Sequence, residues 1–321
     1  MIETDVLVIG AGFTGLSAAL KLRHEGVSVS IVEAGQPGAG ASGRNSGLVI
    51  PMLSRSDPDD IVQRYGASGE RFVALLRDCA DDLFATATAL RLGKQAEQNG
   101  WLQPAHTPGR MALIAQRAAQ WSKWGAAVEV VDRLEARDML GSEMWFGGLL
   151  CRSGGAVNPL ALVQAMAEEV RRIGGNIYAQ TPALSFTRRA NAWQVATPLG
   201  EVRARSLIIA TNAYTAAASK ALLPGVAREI VPVTSWLAAT DPLPEAIRCS
   251  VLPTRLAMSD TRGDLHFARY DVNDRLISGG RSSIRSTVQP GFESWFNSGS
   301  RGFGRKFAAS ASGSSGMDGS E

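Results

Sequence analysis

The sequence predicts an α/β fold of mixed α+β character: one domain opened by a β-α-β crossover, and a second domain built on an antiparallel sheet. Three observations carry that expectation. An apolar strand, a glycine-rich turn and a helix-spaced segment follow one another at the start of the chain. A long, mainly helical pattern covers residues 58–95, and residues 96–150 mix short strands with helices. Strand-type segments dominate residues 226–280.

The run DVLVIG (5–10) is short, apolar and ended by glycine, the pattern of a strand buried on both faces. TGLSAALKLRHEG (14–26) then puts Leu16, Ala19 and Leu20 on one side of a helix, with Gly26 suited to end it. VSVSIVEA (27–34) is the next strand. Between strand and helix, GAGFTG sets Gly10, Gly12 and Gly15 at GxGxxG spacing. In a Rossmann-like unit the first glycine permits the tight turn, the second lets a pyrophosphate approach the backbone, and the third lets helix pack on strand. The turn and helix start, Gly10, Ala11, Gly12, Phe13, Thr14 and Gly15, are therefore the expected dinucleotide contacts, with amides and helix dipole favouring phosphate charge. Glu33 ends the second strand beside Ala34, where a carboxylate can accept both hydroxyls of an adenosine ribose. Its charge would repel a 2′-phosphate, which disfavours NADP and leaves NAD and FAD open.

After Glu33 the chain does not run straight into another helix, as a nicotinamide domain usually does, but through GQPGAGASGRNSGLVIP (35–51). With this order of elements the N-terminal half resembles the D-amino-acid-oxidase-like superfamily of FAD enzymes. ASGRNSGLVIP is similar to the loop of its gamma-glutamylputrescine oxidase and glycine oxidase branch. The resemblance implies FAD as cofactor, with Ser42, Arg44, Asn45, Ser46, Gly47 and Leu48 beside the pyrophosphate, ribityl chain and flavin ring. Arg44 or the loop amides would oppose phosphate charge.

Two later stretches extend the resemblance. GGAVNPLALVQAMAEEVRRIGGNIYAQTPALSF (154–186) reads as a turn, an amphipathic helix starting near Asn158 and Pro159, and a strand. Its end resembles the segment whose main chain meets adenine, at Pro182, Ala183 and Leu184. SLIIATNAYT (206–215) reads as a buried strand ending in a small-residue turn, and resembles the strand that closes over the ADP half, at Ala210 and Thr211.

In the strand-rich region, REIVPVTSWLAAT and LHFARYDVNDRLISGG flank the antiparallel sheet, with Asn273-Asp274 as a hairpin turn. It resembles the superfamily's second domain, whose sheet roofs the flavin and selects the amine. Arg269 and Arg281 match arginines of that branch's hairpin and are candidate substrate contacts, while Phe267 stands where a tyrosine is frequent. A surface arginine is more commonly only solvated. The expected organisation is a FAD-binding domain in two parts, 1–95 and 151–225, and a substrate domain in two parts, 96–150 and 226–285. A Gly/Ser-rich disordered tail, 286–321, follows.

The activity implied by the resemblance is oxidation of the C–N bond of an amine or amino acid, with hydride passing to the flavin and the imine hydrolysing in water. Such chemistry asks a protein for orientation and desolvation more than for an acid–base residue. His24, His106 and His266 indeed offer no triad spacing and no metal pair, so no catalytic residue and no metal site is assigned. The resemblance covers roughly residues 4–285. Members of the superfamily continue with a glycine-rich strand-to-helix segment that returns to the flavin, for which the tail has no counterpart. Impaired activity is the expectation, with a noncatalytic nucleotide-binding remnant and an NAD-dependent dehydrogenase as the alternatives.

The chain has 321 residues, 45% apolar and 20% charged, an ordinary globular composition. A net charge of +3 from scattered basic residues gives no electrostatic footprint for nucleic acid. The expected partner is a small amine or amino acid. Cys79, Cys151 and Cys249 lack metal or disulfide spacing and read as reduced core cysteines of a cytoplasmic protein. The opening MIETDVLVIG offers no leader pattern, and no run approaches the ~18 apolar residues of a membrane span.

Overall fold

The computed structural model describes residues 1–215, 222–263 and 265–283, the last three as strand backbone. The expected tail, 286–321, lies outside the described residues, as does the Arg281 side chain. The chain forms two compact units. Of the described residues, one unit comprises those within 1–45, 89–92 and 158–234, and the other those within 46–88, 93–157 and 235–283. This division separates 46–88 from the expected 1–95 segment. The physical reason is packing: Met52, Ile61 and Val73 share a core cluster with Trp101, Ile114 and Trp121 of the second unit.

The first unit opens with β1 (Ile2–Ile9), α1 (Phe13–His24), β2 (Val29–Val32) and the single turn α2 (Ala41–Arg44). The chain then enters the second unit with β3 (Leu48–Val49), α3 (Pro58–Tyr65), α4 (Ala67–Ala89), β4 (Ala96–Glu97) and β5 (Trp101–Pro104). There follow α5 (Arg110–Lys123), β6 (Val128–Val131), α6 (Arg133–Leu140), β7 (Gly148–Cys151) and β8 (Gly155–Val157). The first unit resumes with α7 (Pro159–Arg172), β9 (Asn176–Tyr178), β10 (Ser185–Arg189), β11 (Ala192–Thr197), β12 (Gly200–Ile209) and α8 (Pro224–Glu229). The last described elements are β13 (Thr234–Pro242), α9 (Glu245–Arg248), β14 (Ala257–Ser259), β15 (Phe267–Tyr270) and β16 (Arg275–Ser283).

The first unit holds a six-stranded sheet in the order β10-β11-β12-β1-β2-β9. Strands β12, β1, β2 and β9 are parallel, as helical crossovers require, and the hairpin strands β10 and β11 extend the edge antiparallel. Helix α1 lies on β1 and β2, and α7 on β9. On the other face Leu7, Ile9 and Val32 meet Val195, Val202 and Ala204. The helix ends follow their sequence signals. Gly26 takes φ +78° just past α1, whose last turn holds Lys21, Arg23 and His24. Asn158 caps α7 by accepting from the Leu160 and Ala161 amides at 3.2 and 3.3 Å, with Pro159 as the first helical residue.

The second unit contains a seven-stranded sheet, β13-β16-β15-β14-β5-β7-β6, and a small sheet, β3-β8-β4. The hairpin between β15 and β16 turns through Asp271–Asp274, with Asp274 at φ +60°. The Asp271 carboxylate holds that turn by accepting from the Asn273 and Arg275 amides at 2.9 and 3.0 Å.

Val6–Ile9 of β1 are buried, as the apolar run predicts, while Asp5 and Gly10 at its ends are half-buried. Three expectations need correction. Ser206–Ile209 of β12 are half-buried or exposed, since the helices pack on β1, β2 and β9. The large sheet is not wholly antiparallel: β14 pairs with β5 in parallel, Ala257 beside Trp101. The cysteines are free, but of the three only Cys151 is buried; Cys79 is half-buried and Cys249 exposed. Among the described residues no helix is long and apolar enough to cross a membrane, and no cluster of side chains suits a metal ion.

Candidate functional site

The first unit's site begins at the turn after β1. Gly10 takes φ +108°, and a Cβ there would stand 2.6 Å from the Ala210 carbonyl oxygen. Its amide donates to Val32 O at 2.9 Å, while the Ala210 amide donates to Ile9 O at 2.8 Å. The turn is thus fixed between β2 and the end of β12. A Cβ on Gly15 would lie 2.0 Å from Gly10 O, so only glycine lets α1 pack this close to the strand end. Gly12 is different: its missing Cβ faces Ser42 Oγ at 2.8 Å, and that hydroxyl accepts the Phe13 amide at 3.1 Å.

Glu33 stands at the C-terminal end of β2. Its Oε2 accepts the Ala11 amide at 2.7 Å, and its Oε1 accepts the Gly35 amide at 2.9 Å. Its backbone is held as well, donating to Tyr178 O at 2.9 Å and accepting from the Thr181 amide at 2.7 Å. Such a carboxylate is rigidly aimed, yet has about four acceptor positions and spends two here.

These groups border a cavity of about 270 Å³. Of the expected contacts, Gly10, Ala11, Gly12, Glu33, Ala34, Ser42, Ala183, Ala210 and Thr211 all line it. Phe13, Thr14 and Gly15 do not, since they turn into α1. Pro182 lines it, whereas Leu184 is 53% exposed away from it. Arg44 and Asn45 are exposed just past Ser42, the last residue of this loop that lines the cavity. Asn45 Nδ2 donates to Ala41 O at 3.2 Å and Ser42 O at 2.9 Å, which closes the α2 turn. Arg44 has no hydrogen-bond or ionic partner among the described residues.

The structure does not bring Ser46, Gly47 and Leu48 to this cavity; they begin the second unit. Gly47 O accepts the Val157 amide at 2.8 Å, and Leu48 pairs with Ala156 in the small sheet. Arg269 is the anchor of this stretch. It is buried at 5% exposure, and Nε donates to Ser46 O at 2.5 Å while Nη1 donates to Tyr270 O at 3.2 Å. Burial pulls its pKa below the ordinary arginine value, opposed by the nearby charges of Asp271 and Glu97. The expectation of a solvated surface arginine is therefore wrong for Arg269, because all four residues of β15 are buried.

Sequence reasoning missed Gly35, Gly38–Ala41, Asn212 and Tyr214, which also line the cavity. The glycine-rich run GQPGAGA was the available signal for the first group. Tyr214 lies in SLIIATNAYT (206–215), the stretch expected at the ADP half, where only Ala210 and Thr211 were expected contacts. Of the histidines, His106 shares a 2.7 Å hydrogen bond between its Nδ1 and Thr261 Oγ1, and burial lowers its pKa.

Comparison with known proteins places the chain in a family. The model of the FAD dependent oxidoreductase family, DAO, matches residues 5–303. Gamma-glutamylputrescine oxidoreductase of Escherichia coli (strain K12) is 30% identical over 280 residues, 87% of this chain and 65% of that protein. The chain thus spans just under two thirds of that relative's length. Glycine oxidase of Bacillus licheniformis is 25% identical over 230 residues, 71% of this chain and 59% of its own. Among solved structures, glycine oxidase from Geobacillus kaustophilus superposes with a TM-score of 0.71 at 20% identity, covering 91% of this chain and 75% of that one.

Proposed function

Because the chain belongs to the FAD dependent oxidoreductase (DAO) family, we propose that it takes FAD into the first unit's cavity and oxidises the C–N bond of an amine or amino acid. Family membership also decides between the two coenzymes that the crossover alone leaves open. The observation that carries the proposal is Glu33, fixed by the Ala11 and Gly35 amides with acceptor positions to spare for two ribose hydroxyls.

The other groups fit the same coenzyme. The bare backbone of Gly10, Ala11 and Gly12 admits a diphosphate, and the helix dipole behind Phe13, Thr14 and Gly15 favours its charge. Arg44, without a hydrogen-bond or ionic partner among the described residues, supplies a cation, and Ser42 a hydroxyl. Ala183, Ala210 and Thr211 wall the adenosine half, with Ala34 beside Glu33. Asn45, Ser46, Gly47 and Leu48 carry the loop onward, and Arg269 fixes the Ser46 carbonyl. When bound, FAD supplies a two-electron acceptor for the hydride of the substrate's α-carbon. The residues of this chain bind, orient and exclude water, with no acid–base residue assigned.

The substrate class draws support from the relatives, whose names state gamma-glutamylputrescine and glycine. A scattered charge balance of +3 argues for a small substrate over nucleic acid, and three free thiols argue for a cytoplasmic protein. The test is product formation by the full chain supplied with FAD, over a panel of amines and amino acids. Stoichiometric carbonyl product and oxygen uptake are expected for at least one amine. FAD binding without consumption of any amine would overturn the proposed activity.

A further inference from the structure

Tyr214 borders the cavity in the first unit and is 47% exposed. Its ring lies on the backbone of Gly40. A Cβ built on Gly40 would stand 2.8 Å from Tyr214 Cε2, 3.4 Å from Cζ and 3.5 Å from Oη, and these are its three nearest atoms. Gly40 itself has an ordinary φ of −88°, so the absent Cβ answers to the ring and not to backbone strain.

The turn that carries this ring is firmly tied. Asn212 takes the left-handed conformation, φ +48°, and its Oδ1 accepts the Ala213 amide at 2.6 Å. Thr215 is buried, and both its amide, at 3.1 Å, and its hydroxyl, at 2.7 Å, donate to Asn212 O. Thr211 and Thr215 also share a hydrogen bond between their hydroxyls. A non-glycine residue at positive φ is costly and persists where surrounding bonds enforce it. Here they hold a large aromatic half in solvent, at the rim of a cavity, against a glycine.

We propose that Tyr214 is a coenzyme-binding residue whose ring, seated on Gly40, walls the diphosphate-bearing part of the cavity against water. This rests on the FAD proposal above. The neighbours of Gly40 in the lining include Ser42, which meets Gly12 at the expected phosphate position. Excluding water there strengthens each hydrogen bond to a charged ligand and weakens the effect of salt. An aromatic ring does this at small entropic cost, having two side-chain torsions.

The test is calorimetric titration of the full chain with FAD and, separately, with ADP, each at low and high salt. Tyr214→Ala loses about tenfold in affinity for both ligands, and its affinity becomes more salt-dependent. Tyr214→Phe, which keeps the ring, stays within about threefold of the parent. Gly40→Ala, whose Cβ displaces the ring, weakens binding much as Tyr214→Ala does, and the double variant is no weaker than either alone. Unchanged affinities in Tyr214→Ala, equal losses in the Phe and Ala variants, or additive losses in the double variant would each overturn the inference. A parent chain that binds ADP but not FAD would sink the flavin proposal alone, with the ADP titrations still deciding Tyr214. A parent chain that binds neither would overturn both. Thermal melting of each variant separates lost binding from lost folding, and Tyr214→Phe keeps the test decisive should Tyr214→Ala not fold.

Discussion

The Ala11 amide donates to Glu33 Oε2 at 2.7 Å, tying the end of the second strand to the turn after the first. One carboxylate thus shapes the glycine turn and remains an acceptor at the cavity wall. Replacing it by alanine removes the acceptor of two amides and the proposed ribose contact together. Hydrogen bonds to a charged group contribute about 1.5–3 kcal/mol, so Glu33→Ala is expected to weaken FAD binding about 10- to 100-fold. Glu33→Gln, which retains one carbonyl oxygen, falls between. Flavin fluorescence titration measures both, and an unchanged Kd for Glu33→Ala would remove Glu33 from the site.

The glycines of the turn separate by what an added methyl group meets. Gly15→Ala drives Cβ against the Gly10 carbonyl, which is backbone and cannot yield. A stability loss of about 2–3 kcal/mol is expected, read from denaturant unfolding. Gly12→Ala meets the Ser42 hydroxyl, which can rotate, so stability changes by about 1 kcal/mol or less while FAD binding is impaired. Equal stability losses in the two variants would contradict this assignment.

Arg269 holds the second unit's first turn by bonds to the Ser46 and Tyr270 carbonyls. Arg269→Met deletes both donors inside a buried site and is expected to cost about 2–4 kcal/mol. Arg269→Lys keeps the charge but not the planar fork and recovers only part of the loss. A cost below about 0.5 kcal/mol in Arg269→Met would mean the guanidinium supports nothing there.

Tyr270 is buried, donates to Val251 O at 2.8 Å, and has its pKa pushed up to about 12 by burial. The unfolded chain releases this proton near pH 10, the ordinary tyrosine value, so between about pH 10 and 12 the folded state binds more protons. The contribution to stability is complete below pH 10 and is lost as pH rises toward 12. Phenolate absorbance should contain a late component that Tyr270→Phe removes. A titration identical in the two proteins would contradict this.

The crossover was legible because each of its constraints leaves a residue behind. Gly10 needs positive φ, Gly15 needs no Cβ, Glu33 closes the strand, and Asn158-Pro159 announces α7. The second unit was legible only in part. Four successive buried residues in β15 erase the alternation that would have shown Arg269 pointing inward. The parallel pairing of β14 with β5 joins Ala257 to Trp101, far apart in sequence, and no local pattern encodes it. Tyr214 was hidden for a similar reason: its partner Gly40 lies in a loop whose flexibility looks the same with or without a ring upon it.

The most direct test of the central claim is flavin retention by the full chain. The protein is incubated with FAD, passed through a desalting column, and its visible absorption recorded, with NAD in a parallel sample. Flavin that emerges with the protein and is released by excess ADP is the expected result. Flavin left behind on the column, with NAD carried through in its place, would contradict it.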